Sequence, residues 1–253
     1  MKYRFTGDDR PPPGWRRLTE AAWLLPRLIR GAGEVSVIGP KDGPPVYVIP
    51  GFVASDKTCS ALRHALAEAG WRTYPWDLGL NKGAHPDVIR HLRQRLEVIH
   101  DGRPVLVVGW SLGGVMAREI AREVPGLVRA VVTLGSPFSG DPHMNNVWRL
   151  YEWVAGHSVD NSPVPHFPDK PPVPTLALWS RRDGIIAPRA ARGLEGESDK
   201  AVEMRCNHMA FGVSAKAGRQ VALEIERFLD EIESGDRARA GLARSAAPQP
   251  TNS

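Results

Sequence analysis

The sequence predicts an α/β fold, a mostly parallel central sheet flanked by helices and carrying a small cap insertion. Three observations predict it. Apolar, β-branched runs alternate with amphipathic ones along most of the chain, the pattern of strands joined by crossover helices. The pentapeptide Gly109-Trp110-Ser111-Leu112-Gly113 lies between one apolar run, Val105 to Val108, and a helix-like run from Val115 to Ile120. Two short segments, 180–184 and 207–209, each sit just past an expected strand.

Each element can be read in order. The expected strands are Val35–Ile38, Val46–Ile49, Arg72–Trp76, Val105–Val108, Val128–Leu134, Thr175–Trp179 and Ala201–Arg205. Helical patterns cover Ser55–Ala69, Asp87–His100, Leu112–Val124 and Arg219–Ile232. In the second of these, Val88, Ile89, Leu92, Leu96 and Ile99 fall on one stripe of period 3.6. Three regions break the alternation. Residues 1–33 form an N-terminal extension, with prolines at 11–13 and then a peripheral helix from Trp15 to Arg30. That helix reads as packed on the domain, with a membrane-surface helix as the alternative. Residues 34–234 are the main domain, interrupted at about 137–174 by a cap insertion containing an aromatic helix, Val147–Val154. Residues 235–253 are poor in large apolar side chains and read as a disordered tail. There are no internal repeats.

Composition narrows the class. The chain has 253 residues, 42% hydrophobic and 24% charged, which suits one large globular α/β domain. No apolar run approaches the ~18–20 residues that span a bilayer. The first ten residues include Asp8 and Asp9 and no apolar segment, unlike a secretory signal. Two cysteines, Cys59 and Cys206, make no disulfide framework and lack metal-ligand spacing, so the expected location is cytoplasmic. The net charge of +5 is concentrated at the Arg-rich ends. A nucleic-acid binder would pair a basic patch with a recognition motif, and no such motif is present, so no nucleic-acid partner is expected. Weak association with anionic membrane surfaces is compatible with those ends.

The chemistry begins at Ser111. G-x-S-x-G between strand and helix is a nucleophile elbow, whose small residues at 109 and 113 let strand and helix pass closely. A serine hydroxyl is a weak nucleophile at neutral pH and needs a base, usually a histidine oriented by a carboxylate. Of eight histidines, His64, His91 and His100 lie on expected helices, and His85, His143, His157 and His166 lie in loops. His208 alone follows the last strand. For the acid, Asp183, in a turn with Gly184, competes with Asp141 and Asp160. Asp183 and His208 both fall at C-terminal strand ends, where open α/β sheets bind ligands. Asp56, Lys57 and Thr58 read as a helix start. A tetrahedral oxyanion needs two fixed N–H donors. The candidates are the amides of Leu112 and Phe52, with Gly51 allowing the tight turn before Phe52.

Together these residues resemble the α/β-hydrolase superfamily, and within it bacterial lipase and esterase-type serine hydrolases. The resemblance covers about residues 44–230. It rests on Ile49-Pro50-Gly51-Phe52, Gly109 to Gly114, Thr133 to Pro137 and Ser180-Arg181-Arg182-Asp183-Gly184, with a weaker match over Trp76 to Gly83. It implies the α/β-hydrolase fold, and nucleophile, acid and base roles for Ser111, Asp183 and His208. It implies cleavage of a small-molecule or lipid ester without metal or cofactor. Acyl transfer, thioester or amide cleavage by the same triad is the alternative, and a non-catalytic binding protein is a third. Many lipases have His-Gly where this chain has Pro50-Gly51. Trp110 in the elbow, and Trp148 and Tyr151 in the insertion, are the candidate substrate contacts, with simple core packing the competing reading for the insertion aromatics. Acyl length, alcohol part and oligomeric state are not specified by the sequence.

Overall fold

The structure is a computed structural model that describes residues 10–13, 15–16, 20, 36–85, 87–140 and 167–245. Among the described residues, six strands form one parallel sheet: β1 (Pro45–Ile49), β2 (Arg72–Tyr74), β3 (Val105–Trp110), β4 (Val128–Leu134), β5 (Thr175–Trp179) and β6 (Lys200–Glu203). Their order is β2-β1-β3-β4-β5-β6. β3 lies inside the sheet and is buried along its whole length, the pattern of a strand covered on both faces.

The two layers of helices follow from side-chain alternation. Val46 and Val48 of β1, Leu106 and Val108 of β3 and Val132 of β4 pack with Leu62 and Leu66 of α1 (Ser60–Glu68). On the same face sit Val221, Ile225 and Phe228 of the last helix, α6 (Ala215–Ser245). On the other face, Tyr47, Ile49, Val105, Val107 and Val131 meet Val88, Leu92, Leu96 and Ile99 of α2 (Val88–Ile99). Met116, Ala117 and Ile120 of α3 (Leu112–Glu123) complete that layer. Chain direction away from the sheet therefore reverses between β1 and β3. From β1 the chain goes to α1 on one face, and from β3 to α3 on the opposite face. The loops leaving those adjacent strands splay apart and open a crevice at their C-terminal ends.

Several elements differ from expectation. Of the expected strand Val35–Ile38, the described part pairs only at Ile38, through one antiparallel bridge to Thr73. Gly39, at φ 104°, and Pro40 then turn the chain away. β2 stops at Tyr74, before Pro75. α1 begins at Ser60, because residues 56–59 form a turn. Two short helices, α4 (Pro188–Arg192) and α5 (Ala210–Val213), are too brief to leave a periodic signal. α6 runs on to Ser245, so the first part of the expected disordered tail is helical. Once the helix is nucleated on the core, the Ala and Arg residues that follow have the helix propensity to prolong it. The rest of that tail, most of residues 1–33, and residues 141–166 with Trp148 and Tyr151 lie outside the described residues. Among the described residues, no helix is long and apolar enough to cross a membrane.

Candidate active site

Three residues other than glycine have positive φ among the described residues: Val53 (55°), Asp77 (63°) and Ser111 (54°). They stand in the loops that leave β1, β2 and β3, at one rim of the sheet. Such backbone is strained and persists only where surrounding contacts over-determine it. At Ser111 those contacts are visible. Its N–H donates to the Leu134 carbonyl at 2.8 Å, tying the elbow to the end of β4. A side chain at Gly109 would collide with the backbone of Gly113 and Gly114, and one at Gly113 with the Ile49 and Pro50 carbonyls. Strand, turn and helix can therefore approach only with glycine at both places.

The loop after β1 lies against the elbow. A Cβ at Gly51 would come 3.1 Å from the Ser111 Cβ. The loop is held in turn by Asn81, which is buried: its backbone carbonyl accepts the Val53 N–H at 2.8 Å, and its side-chain amide donates to the Pro50 carbonyl at 2.8 Å. Asp56 does not cap α1. Its carboxylate accepts the N–H groups of Trp76 (2.7 Å) and Asp77 (3.0 Å), which joins the loops after β1 and β2. Phe52 sits in this secured loop. Leu112 begins α3, where the first amides have no acceptor within the helix and the dipole favours negative charge.

The turn after β5 and the loop after β6 meet in a buried carboxylate–imidazole pair. Asp183 Oδ2 lies 2.7 Å from His208 Nδ1, with the two side chains 1% and 3% exposed. Asp183 Oδ1 accepts the N–H groups of Ile185 and Ile186, each at 2.7 Å. With one oxygen taken by two amides, the other is aimed at the imidazole. A carboxylate only accepts, so Nδ1 carries the proton and Nε2 is left as the acceptor. Burial pulls the His208 pKa down, but the Asp183 charge and hydrogen bond, with a smaller push from Glu20, outweigh it and hold it above the usual value. Ser180 Oγ donates to the Cys206 carbonyl at 2.6 Å and clips the two loops together.

The serine and the pair share this rim. Gly135 directly follows Leu134, the acceptor of the Ser111 amide; a Cβ there would lie 3.0 Å from Asp183 Oδ2 and 3.2 Å from His208 Nδ1. Trp110, the chain neighbour of Ser111, donates its indole N–H to the His208 carbonyl at 3.2 Å, and its ring lies 5.8 Å from the imidazole. Trp110 is buried among the core residues on its face of the sheet.

Three residues of the site escaped sequence reasoning: Asn81, Asp56 in its actual role, and Glu20. Glu20 belongs to the N-terminal extension and is buried. Its carboxylate accepts the N–H groups of Gly184, His208 and Met209, each at 2.9 Å. Nothing local marks such a residue, since its partners lie at least 164 positions away in the chain.

Comparison with known proteins agrees with the architecture. Residues 44–156 match the model of the alpha/beta hydrolase fold family. Among solved structures, an alpha/beta hydrolase enzyme from the metagenome of sediments of the lagoon of Mar Chica, Morocco, superposes with a TM-score of 0.58. It is 18% identical, over 81% of this chain and 98% of that one. A membrane phospholipase A, described as a bacterial virulence factor, gives 0.56 at 14% identity, over 86% and 92% of the two chains. The monoacylglycerol lipase of Paleococcus ferrophilus gives 0.53 at 15% identity, over 76% and 99%. No curated protein matches the sequence significantly. The chain thus has the alpha/beta hydrolase fold, and its residues 44–156 resemble that family's model.

Proposed function

We propose that this protein is a serine hydrolase that cleaves carboxylic esters through a covalent acyl-enzyme. The observation that carries the reading is the buried Asp183–His208 pair at the rim where the strained elbow presents Ser111. Ser111 Oγ attacks the acyl carbonyl as His208 Nε2 takes its proton. Asp183 keeps the imidazole in the productive tautomer and stabilises the imidazolium that forms. The amides of Leu112 and Phe52 hold the tetrahedral oxyanion. His208 then returns its proton to the leaving alcohol. Water, deprotonated in turn by His208, attacks the acyl-serine and releases the acid. Atoms and protons balance with water alone as co-substrate.

The structural neighbours named as a phospholipase and a monoacylglycerol lipase support an ester or lipid-ester substrate. The test pairs p-nitrophenyl esters of increasing chain length with Ser111→Ala, and adds a fluorophosphonate probe read by intact mass. Hydrolysis and labelling by the native protein, both abolished in a folded Ser111→Ala variant, are expected. Undiminished turnover in that variant refutes the mechanism. A new ester formed in preference to free acid when an alcohol is added would assign acyl transfer instead.

A further inference from the structure

Glu20 is foreign to the sheet that carries the rest of the site, yet it reaches both loops that hold the acid and the base. Its Oε1 accepts from Gly184, next to the acid, and from His208, the base itself, and its Oε2 accepts from Met209. It is 3% exposed. Arg16 reaches the same place. Arg16 donates to the Arg181 carbonyl at 2.7 Å, and a Cβ at Gly184 would lie 2.9 Å from the Arg16 carbonyl. Glycine at 184 thus admits the N-terminal segment against the acid turn.

We infer that Glu20 is a positioning residue of the active site, a carboxylate clamp that sets the separation and orientation of the Asp183 and His208 loops. The inference rests on the catalytic reading of those two residues. The chemistry demands a carboxylate. Three N–H donors converge on two oxygens, and a carboxylate offers acceptor lone pairs on both. An amide at this position keeps one acceptor oxygen. Its NH₂ then meets a backbone N–H donor head-on, and one amide of the clamp is left buried without a partner. Because the His208 N–H is among the three, a shift of the clamp moves the base itself. Displacements of the order of 1 Å at a reacting group can lower turnover about 10²-fold.

The clamp also acts through charge. The charged groups that act on the imidazole are Asp183 from the turn after β5 and Glu20 from the N-terminal segment. Glu20 adds to Asp183 in favouring the imidazolium.

The experiment compares the full-length native protein with Glu20→Gln, with the surface variant Glu231→Gln and with Ser111→Ala. Glu20→Gln is expected to lower kcat about 10- to 100-fold with KM nearly unchanged, since Glu20 touches no substrate. The acid limb of its kcat/KM profile should move to lower pH, because a negative charge near His208 is gone. Glu231→Gln should match the native protein. If Glu20→Gln is recovered only as insoluble chain, Glu20→Asp, which keeps the charge on a shorter arm, carries the same kcat comparison. Native kcat and an unmoved acid limb in a folded variant overturn the clamp. So does a loss of activity that merely tracks the unfolded fraction and vanishes on cooling below Tm. Failure of the catalytic reading is separate, because it shows as an active Ser111→Ala.

Discussion

Replacing Asp183 by asparagine tests the centre of the site, and the structure dictates how the new side chain must sit. Two backbone amides, of Ile185 and Ile186, donate to Asp183 Oδ1 at 2.7 Å each. An asparagine can satisfy both only with its oxygen in that place. Flipped, its NH₂ would face two N–H donors. The oxygen therefore stays, and the NH₂ group points along the 2.7 Å vector to His208 Nδ1. A donor there requires Nδ1 to become the acceptor, which transfers the imidazole proton to Nε2. The base then presents N–H to the serine hydroxyl and cannot take its proton. Loss of the correct tautomer in a serine triad lowers kcat about 10⁴-fold, which at ~1.36 kcal/mol per factor of ten is about 5 kcal/mol of transition-state stabilisation. The fold should persist, because the amide-anchoring oxygen is retained. The assay is kcat on a short-chain p-nitrophenyl ester beside circular dichroism of the same sample. A folded Asp183→Asn protein retaining a tenth or more of native kcat would refute the assigned role.

Three further predictions rest on the same geometry. His208 is held above its usual pKa of ~6.5, so kcat/KM should fall on the acid side with an apparent pKa above that value, as protonation removes the base. The linked stability has the opposite sign. A raised folded-state pKa makes the pair's contribution complete below ~6.5 and lost as pH rises through the folded value, so the Tm gap between the native protein and His208→Gln should narrow toward alkaline pH. A gap that widens would contradict the assignment. Gly135→Ala should impair both fold and catalysis. Its φ of 54° costs an alanine about 1–2 kcal/mol, and the methyl would press on Asp183 Oδ2 at 3.0 Å and on His208 Nδ1 at 3.2 Å. A lower Tm together with a fall in kcat is expected, and native values of both would show that the strand end moves freely.

What could be read from the sequence divides along a physical line. Ser111 is legible because the elbow is local: strand, turn and helix are contiguous, and steric closeness writes glycine at 109 and 113. Asp183 and His208 are legible as candidates because a parallel sheet puts every C-terminal strand end on one rim, whatever the distance in sequence. Residues whose partners come from elsewhere leave no such trace. Asp56 looks like a helix start, since its composition context is that of a cap, but its carboxylate serves the amides of Trp76 and Asp77 in another loop. Trp110 is a neighbour of Ser111 in sequence, but alternation along β3 turns its ring into the core layer, where it also meets the His208 ring. The expected strand at Val35–Ile38 has the right residue types but only one bridged pair, because Gly39 and Pro40 end it.

Glu20 shows why assembly of the site is a global property even where its chemistry is local. The elbow can form from β3, α3 and their glycines. Asp183 and His208, by contrast, sit on loops after the last two strands in the sheet, β5 and β6, and among the described residues β6 is an edge strand with one neighbour. An edge strand has fewer contacts to fix the loop that leaves it. Ser180 ties that loop to the acid turn, Trp110 ties it to the elbow, and the carboxylate from the far N-terminus ties both loops at the backbone of His208 itself. The three ties restrain the imidazole loop from three directions. The placement of His208 therefore depends on contacts from Ser180, Trp110 and Glu20, which come from three separate parts of the chain.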